Sequence, residues 1–211
     1  MIIMPPLASV IMSVFAKVAS TVGPMLAKYV PIMLDTLGKN LPKVINTIEA
    51  ISVASNVLTP RDNANELGAK AMIAEKKPED FDKINDYINY LRNDITLDTE
   101  SLSQDPVDCT IRLAVGGTIA LRGVNEALDA DVSIPFLKSV STLELTPNII
   151  LSVIKSYQQN SLNLDDLDNY LHDKLSLAQA NKHSDALVNA YQLANPNMDL
   201  EQVEDAVINL R

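Results

Sequence analysis

The stretch that decides the fold is residues 110–128, "TIRLAVGGTIALRGVNEAL". It allows two short strands joined at Gly116 and Gly117, or one helix through both glycines. We favour the helix because one helical face then carries the residues Leu113, Gly117, Ala120, Leu121, Val124 and Leu128. Each interior glycine weakens a helix by about 1 kcal/mol relative to alanine. The two glycines are tolerated in a helix if another backbone packs closely against them. A phosphate-binding loop is disfavoured because the stretch lacks a Lys and the GxxxxGK[ST] spacing.

Apolar residues recur at helical spacing along most of the remaining chain. Three such stripes are Phe81, Ile84, Ile88 and Leu91; Ile149, Ile150, Val153, Ile154 and Tyr157; and Leu164, Leu167, Leu171, Leu175 and Ala178. Proline follows a capping residue at Thr59, Asp105, Thr146 and Asn195, which is typical of helix starts. We predict an all-α fold, in which apolar N-terminal helices, arranged as a helical hairpin or coiled-coil-like pair, precede an acidic multi-helix bundle.

Charge divides the chain near residue 58. Residues 1–58 contain four Lys against Asp35 and Glu49, a net charge of +2. Residues 59–211 contain 13 Lys and Arg against 25 Asp and Glu, a net charge of −12. We predict an apolar helical assembly segment at 1–58 and an acidic helical bundle at 59–211. Because the acidic bundle repels phosphates, we do not expect nucleic acid as a partner.

The chain begins with an apolar stretch whose first charged side chain is Lys17. Its apolar residues follow amphipathic helical spacing: Leu7, Val10, Ile11, Val14, Phe15, Val18 and Val22. We expect a break at Gly23-Pro24 and a bend or restart of the following helix at Pro31. A second set then follows the spacing of a three-heptad seam: Leu41, Val44, Ile48, Ile51, Ser55 and Leu58. We predict that the apolar members of both sets are interaction residues covered by other protein subunits.

Other interpretations of the apolar N-terminus are weaker. A cleavable signal peptide is disfavoured because no Lys or Arg precedes the apolar run. A membrane span is disfavoured because the uncharged run is 16 residues, short of the roughly 20 that a span requires. Reversible membrane contact stays an alternative, although the polar face lacks the charge typical of interfacial helices. A further alternative is that residues 1–58 pack on the rest of their own chain.

Residues that carry chemistry are sparse. Cys109 is the single cysteine, which excludes an intrachain disulfide. His172 and His183 would lie about 16 Å apart along one continuous helix, too far to share a metal ion. The stretch that starts at Asp129 resembles a calcium loop at its first acidic positions but has Ile134 where glycine is required. We predict no catalytic, cofactor-binding or metal-binding residues.

The functional prediction combines the apolar N-terminal segment with the acidic bundle. We predict a non-enzymatic structural or assembly protein that docks through its apolar N-terminal helices into a larger complex of protein subunits. A virion, a tail or a secretion-type apparatus is the predicted setting, and we expect cytoplasmic synthesis before incorporation. Two alternatives stay open. One is a membrane-active ejected or secreted effector or accessory protein, and the other is an all-helical enzyme or ligand carrier.

Overall fold

The computed structural model describes Val18 and residues 21–211, and among these residues there is no strand. The all-α prediction is confirmed. The helices are α1 (Pro24–Leu37), α2 (Leu41–Ala54), α3 (Ala64–Ile73), α4 (Ile84–Asn93), α5 (Pro106–Leu128), α6 (Ile134–Thr142), α7 (Pro147–Gln159), α8 (Asp166–Leu171), α9 (Leu177–Ala194) and α10 (Leu200–Ile208). The chain divides into two compact units, unit 1 (Met1–Glu126) and unit 2 (Ala127–Arg211). The boundary predicted at residue 58 therefore falls inside unit 1.

Helix α5 is the buried centre of unit 1, and every residue from Ala114 to Leu121 is buried. A Cβ atom added to Gly116 would lie 1.8 Å from the carbonyl oxygen of Ala64, and one added to Gly68 would lie 1.9 Å from that of Arg112. The backbones of α3 and α5 therefore touch where they cross. The predicted helix through both glycines is confirmed, and the backbone of another helix lies against Gly116.

Helices α1 and α2 cover another part of α5. A Cβ added to Gly117 would lie 2.1 Å from the terminal methyl carbon of Ile45, so this methyl group fills the space beside the glycine. The hydroxyl group of Thr118 lies 3.8 Å from the sulfur atom of Met33 on α1. Pro31 does not end α1, which is continuous from Pro24 to Leu37. The chain turns instead at the 3-10 helix Gly38–Asn40.

The loop between α2 and α3 is fixed to α4 by an ion pair. The guanidinium group of Arg92 lies 2.8 Å from the carboxylate of Asp62 and donates from both Nε and Nη2. Burial alone raises the pKa of Asp62, but the hydrogen bonds from Arg92 and Thr59 outweigh it, and the pKa is lowered. Asp62 therefore stays ionised and holds the loop in place.

The helix starts agree in part with the predicted caps. The hydroxyl group of Thr146 accepts a hydrogen bond from the first turn of α7, and the carboxylate of Asp105 does the same at α5. The caps predicted at Thr59 and Asn195 are wrong. Helices α3 and α10 begin four residues beyond the predicted starts, because a later side chain accepts the first-turn N–H in each case. These two later caps are Asn63 and Asp199.

Unit 2 is organised by α7 and α9, which lie against each other. Helix α7 buries Ile150, Val153, Ile154 and Tyr157, as its periodicity predicts. The buried hydroxyl group of Ser156 donates to the carbonyl oxygen of Ala186 on α9 at 2.7 Å. The apolar stripe across residues 164–178 predicts one helix, and this prediction is wrong. Helix α8 ends at Leu171, and Ser176 caps the separate helix α9.

Unit 2 contains no glycine, so its tight turns use other residues. Four residues in the turns that follow α5, α6, α7 and α8 have positive φ angles: Asp129 (47°), Glu144 (53°), Ser161 (52°) and Asp173 (56°). This left-handed conformation ends a helix readily with glycine but is strained for residues with a Cβ. The helical pattern of unit 2 is thus interrupted without the glycine signal on which sequence interpretation relies.

Candidate protein-interaction surfaces

The described members of the predicted interaction set are buried in unit 1. These are Val18, Val22, Leu41, Val44, Ile48, Ile51 and Leu58, each of which is at most 3% exposed. The remaining five members, Leu7, Val10, Ile11, Val14 and Phe15, lie outside the described residues. The heptad-like seam of α2 thus faces its own unit, which agrees with the alternative that residues 1–58 pack on their own chain. A role in contacts between molecules stays a prediction for all twelve.

The junction that precedes α1 is held by the segment around the 3-10 helix Pro78–Asp80. The carboxylate of Glu79 accepts a hydrogen bond from the backbone N–H of Met25 at 2.5 Å, in the first turn of α1. The ammonium group of Lys77 donates to the carbonyl oxygens of Thr21 and Ala74. A carboxylate at a helix N-terminus is stabilised by the helix dipole.

Gly23 makes this junction possible. Its φ angle is 84°, and a Cβ at this position would lie 2.5 Å from a carboxylate oxygen of Glu79. A residue with a side chain would be strained and would displace the carboxylate. The break predicted at Gly23-Pro24 is therefore also a contact site. No sequence pattern predicts this contact, because Lys77-Pro78-Glu79 resembles an ordinary helix start.

Exposed apolar side chains occur on the outer faces of several helices. In unit 1, Tyr29 and Ile32 lie one turn apart on α1, and the guanidinium carbon of Arg122 lies 5.3 Å from the centre of the Tyr29 ring. In unit 2, Leu200 and Ile208 lie on α10. Single exposed apolar residues are normal on protein surfaces. Each of these positions therefore indicates a binding surface only where neighbouring side chains form that surface with it.

The two histidines have different surroundings. The exposed imidazole of His172 lies 3.5 Å from the carboxylate of Asp168. The buried imidazole of His183 lies 3.0 Å from the hydroxyl group of Tyr157, and Tyr170 stacks against it. Burial lowers the pKa of His183, although the nearby charge of Asp166 opposes this effect. His183 is thus held neutral between α7, α8 and α9.

The other residues considered for chemistry have structural contacts. The sulfur atom of Cys109 lies 3.1 Å from the guanidinium group of Arg112, which also donates to Ser103 and Asn65. Sequence alone did not predict that Arg112 would be buried. Ser133, in the calcium-like stretch, caps α6 and hydrogen-bonds to Asp165. Among the described residues, no three His, Cys, Asp or Glu side chains are grouped closely enough to hold a metal ion.

The depressions on unit 2 include one of about 230 Å³ and one of about 300 Å³. Asp131, Ser133 and Asp165 line the first, and Tyr170, Leu177 and Arg211 are among the residues that line the second.

Within the described part of the chain, no helix has both the length and the apolar character needed to cross a membrane. Compared with protein families, curated proteins and solved structures, the chain matches none of them.

Proposed function

We propose that the protein is a non-enzymatic assembly protein that docks onto protein subunits through the apolar stretch before Val18. The burial of Val18 and Val22 is the observation that carries this proposal. These two side chains are the last members of the seven-residue stripe, and both are fully buried. Because all seven share one face of the predicted helix, we infer that polypeptide also covers the earlier members.

The described contacts narrow the docking surface. The apolar residues of α2 fill unit 1, so contact with a partner through them would require unit 1 to open. The proposed surface is therefore restricted to Leu7, Val10, Ile11, Val14 and Phe15. Glu79 and Lys77 fix the chain at Thr21 and Met25, directly after this stretch. A segment anchored at one end loses less freedom when it binds, which favours docking.

The test compares two substitutions in the full-length chain. Val14→Asp introduces a charge into the apolar stripe, whereas Ser13→Asp introduces the same charge on the opposite face of the predicted helix. We expect the wild-type chain and Ser13→Asp to form oligomers and Val14→Asp to be largely monomeric, as measured by light scattering over a range of protein concentrations. Circular dichroism should show equal helix content in all three.

Two results would contradict the proposal. One is a wild-type chain that stays monomeric at all concentrations and does not associate with other subunits. The other is equal association of Val14→Asp and Ser13→Asp.

Flotation with phosphatidylcholine–phosphatidylglycerol vesicles tests the membrane-active alternative, which predicts flotation of the wild type and loss of flotation in Val14→Asp. Deletion of residues 1–17 removes the proposed docking surface and keeps residues 21–58, which supply much of the core of unit 1.

The setting of the assembly is a separate question. A virion, a tail or a secretion-type apparatus stays a prediction from the sequence, as does synthesis in the cytoplasm. Mass spectrometry of complexes purified with the wild-type chain, but not with Val14→Asp, identifies the setting through the partners lost in the variant.

A further inference from the structure

The outer face of α10 combines exposed apolar and acidic side chains. Leu200, Glu204 and Ile208 follow one another at intervals of four residues, so they form a line along about 12 Å of the helix. Leu200 is 53% exposed and Ile208 is 65% exposed. Glu201 and Asp205 form a parallel exposed line beside them. This face, defined by these five residues, is called the α10 ridge.

The carboxylates of the α10 ridge lack cationic partners among the described residues. Helix α10 contains no Lys or Arg, and Glu201, Glu204 and Asp205 take part in none of the ion pairs within the described chain. Like charges four residues apart on a helix, such as Glu201 and Asp205, repel each other. Unit 2 as a whole has five Lys and Arg against twelve Asp and Glu, a net charge of −7. A cationic partner would relieve this repulsion.

The opposite face of α10 holds the ridge in a fixed position. Val203 and Val207 are fully or almost fully buried, and α10 packs against α9. The carboxylate of Asp199 caps the first turn through the N–H of Gln202 at 2.9 Å. The ridge is thus presented on an anchored and capped helix, so little conformational freedom is lost when a partner binds.

We propose that the α10 ridge binds a basic amphipathic helix of a partner protein. Apolar residues of that helix would cover Leu200 and Ile208, and flanking Lys or Arg side chains would pair with Glu201, Glu204 and Asp205. The negative charge of the ridge disfavours nucleic acid and anionic membranes as occupants. This surface is separate from the apolar stretch before Val18, so the two proposals stand or fall independently.

The probe is a labelled synthetic peptide of about 18 residues, long enough for five helical turns, with Leu at amphipathic spacing and Lys elsewhere. Its binding to the full-length protein is measured by fluorescence anisotropy at physiological salt. We expect saturable binding that weakens at least about tenfold, or about 1.4 kcal/mol, in Leu200→Ser/Ile208→Ser and in Glu201→Gln/Asp205→Asn. Circular dichroism of both double variants establishes that their helices are intact.

Matched controls separate this site from general charge attraction. Glu144→Gln/Asp185→Asn removes two carboxylates from unit 2 outside α10 and should leave the affinity unchanged. A peptide with Ser in place of Leu and the same number of Lys residues should bind much more weakly. Val14→Asp should bind the probe as the wild type does. Absence of saturable binding, equal binding of the Ser peptide, or unchanged affinity in both ridge variants would overturn the proposal.

Discussion

Replacing Gly116 with alanine places a methyl group inside the crossing of α3 and α5. The new Cβ would lie 1.8 Å from the carbonyl oxygen of Ala64, 2.6 Å from its carbonyl carbon and 2.9 Å from its Cα. All three atoms belong to the backbone of the first residue of α3, so no side-chain rotation relieves the overlap. Ordinary contact begins near 3.4 Å, so α3 must move by about 1.6 Å.

The free energy of unfolding changes through two opposing effects. Alanine stabilises the interior of a helix by about 1 kcal/mol relative to glycine. Overpacking in a close-packed core usually costs about 1–3 kcal/mol, and more where backbone must move. Because the displaced element is a helix whose Gly68 also touches α5, we expect the overlap to dominate. We take the cost of the overlap as about 3–4 kcal/mol because backbone must move, so the expected net destabilisation of unit 1 is about 2–3 kcal/mol.

Gly117 provides the matched control, because it is the next residue of the same helix. A Cβ there would lie 2.1 Å from the terminal methyl group of Ile45, whereas the next-nearest atoms are 3.5 Å away. Ile45 can change its side-chain conformation for about 0.5–1.5 kcal/mol, which is close to the gain in helix propensity. The free energy of unfolding of Gly117→Ala should therefore lie within about 1 kcal/mol of the wild-type value.

Urea denaturation followed by circular dichroism measures both variants, and hydrogen exchange of the α5 amides assigns the loss to unit 1. We expect Gly116→Ala to be less stable than Gly117→Ala by about 1 kcal/mol or more. If the two variants differ by less than about 0.5 kcal/mol, the backbone contact between α3 and α5 does not constrain this position.

Two other predictions concern unit 2. Burial lowers the pKa of His183, so the folded protein favours the neutral imidazole. The contribution of this imidazole to the free energy of unfolding is complete above the unfolded pKa of about 6.5. It is lost as the pH falls below that value, by at most about 1.4 kcal/mol per pH unit. Urea denaturation at several pH values should show that His183→Gln removes this dependence and that the exposed control His172→Gln retains it; equal pH profiles would contradict a buried neutral imidazole. Glycine in place of Glu144 or Ser161 relieves about 1–2 kcal/mol of left-handed strain but increases the entropy of the unfolded chain by about 0.5–1 kcal/mol equivalent. Both glycine variants should raise the urea midpoint slightly, and a lower midpoint in both would contradict the strain argument.

Helical periodicity was a sufficient guide where one face of a helix is buried. The stripes of α4 and α7 follow the pattern that the sequence shows, and their apolar members are largely buried. Periodicity failed where a turn lacks glycine or proline. The stripe across residues 164–178 continues in sequence through Asp173, whose left-handed backbone separates α8 from α9.

The candidate surfaces were less predictable than the fold. Spacing identifies Leu41, Val44 and Ile48 as one apolar face, and that face is buried. Spacing does not specify whether the covering surface belongs to the same chain or to another, because both exclude water equally well. The contacts of Glu79 with Met25 and of Ile45 with Gly117 join residues that are far apart in sequence, and no local pattern specifies such pairs.

The sequence by itself determined the helical class of this protein and the distribution of its charge, because these follow from composition and from spacing within a few residues. Only the tertiary structure decided that α2 faces its own unit, that α3 and α5 cross at Gly68 and Gly116, and that α10 presents Leu200 and Ile208. Those outcomes depend on which helices meet, and that is set by packing between segments distant in sequence.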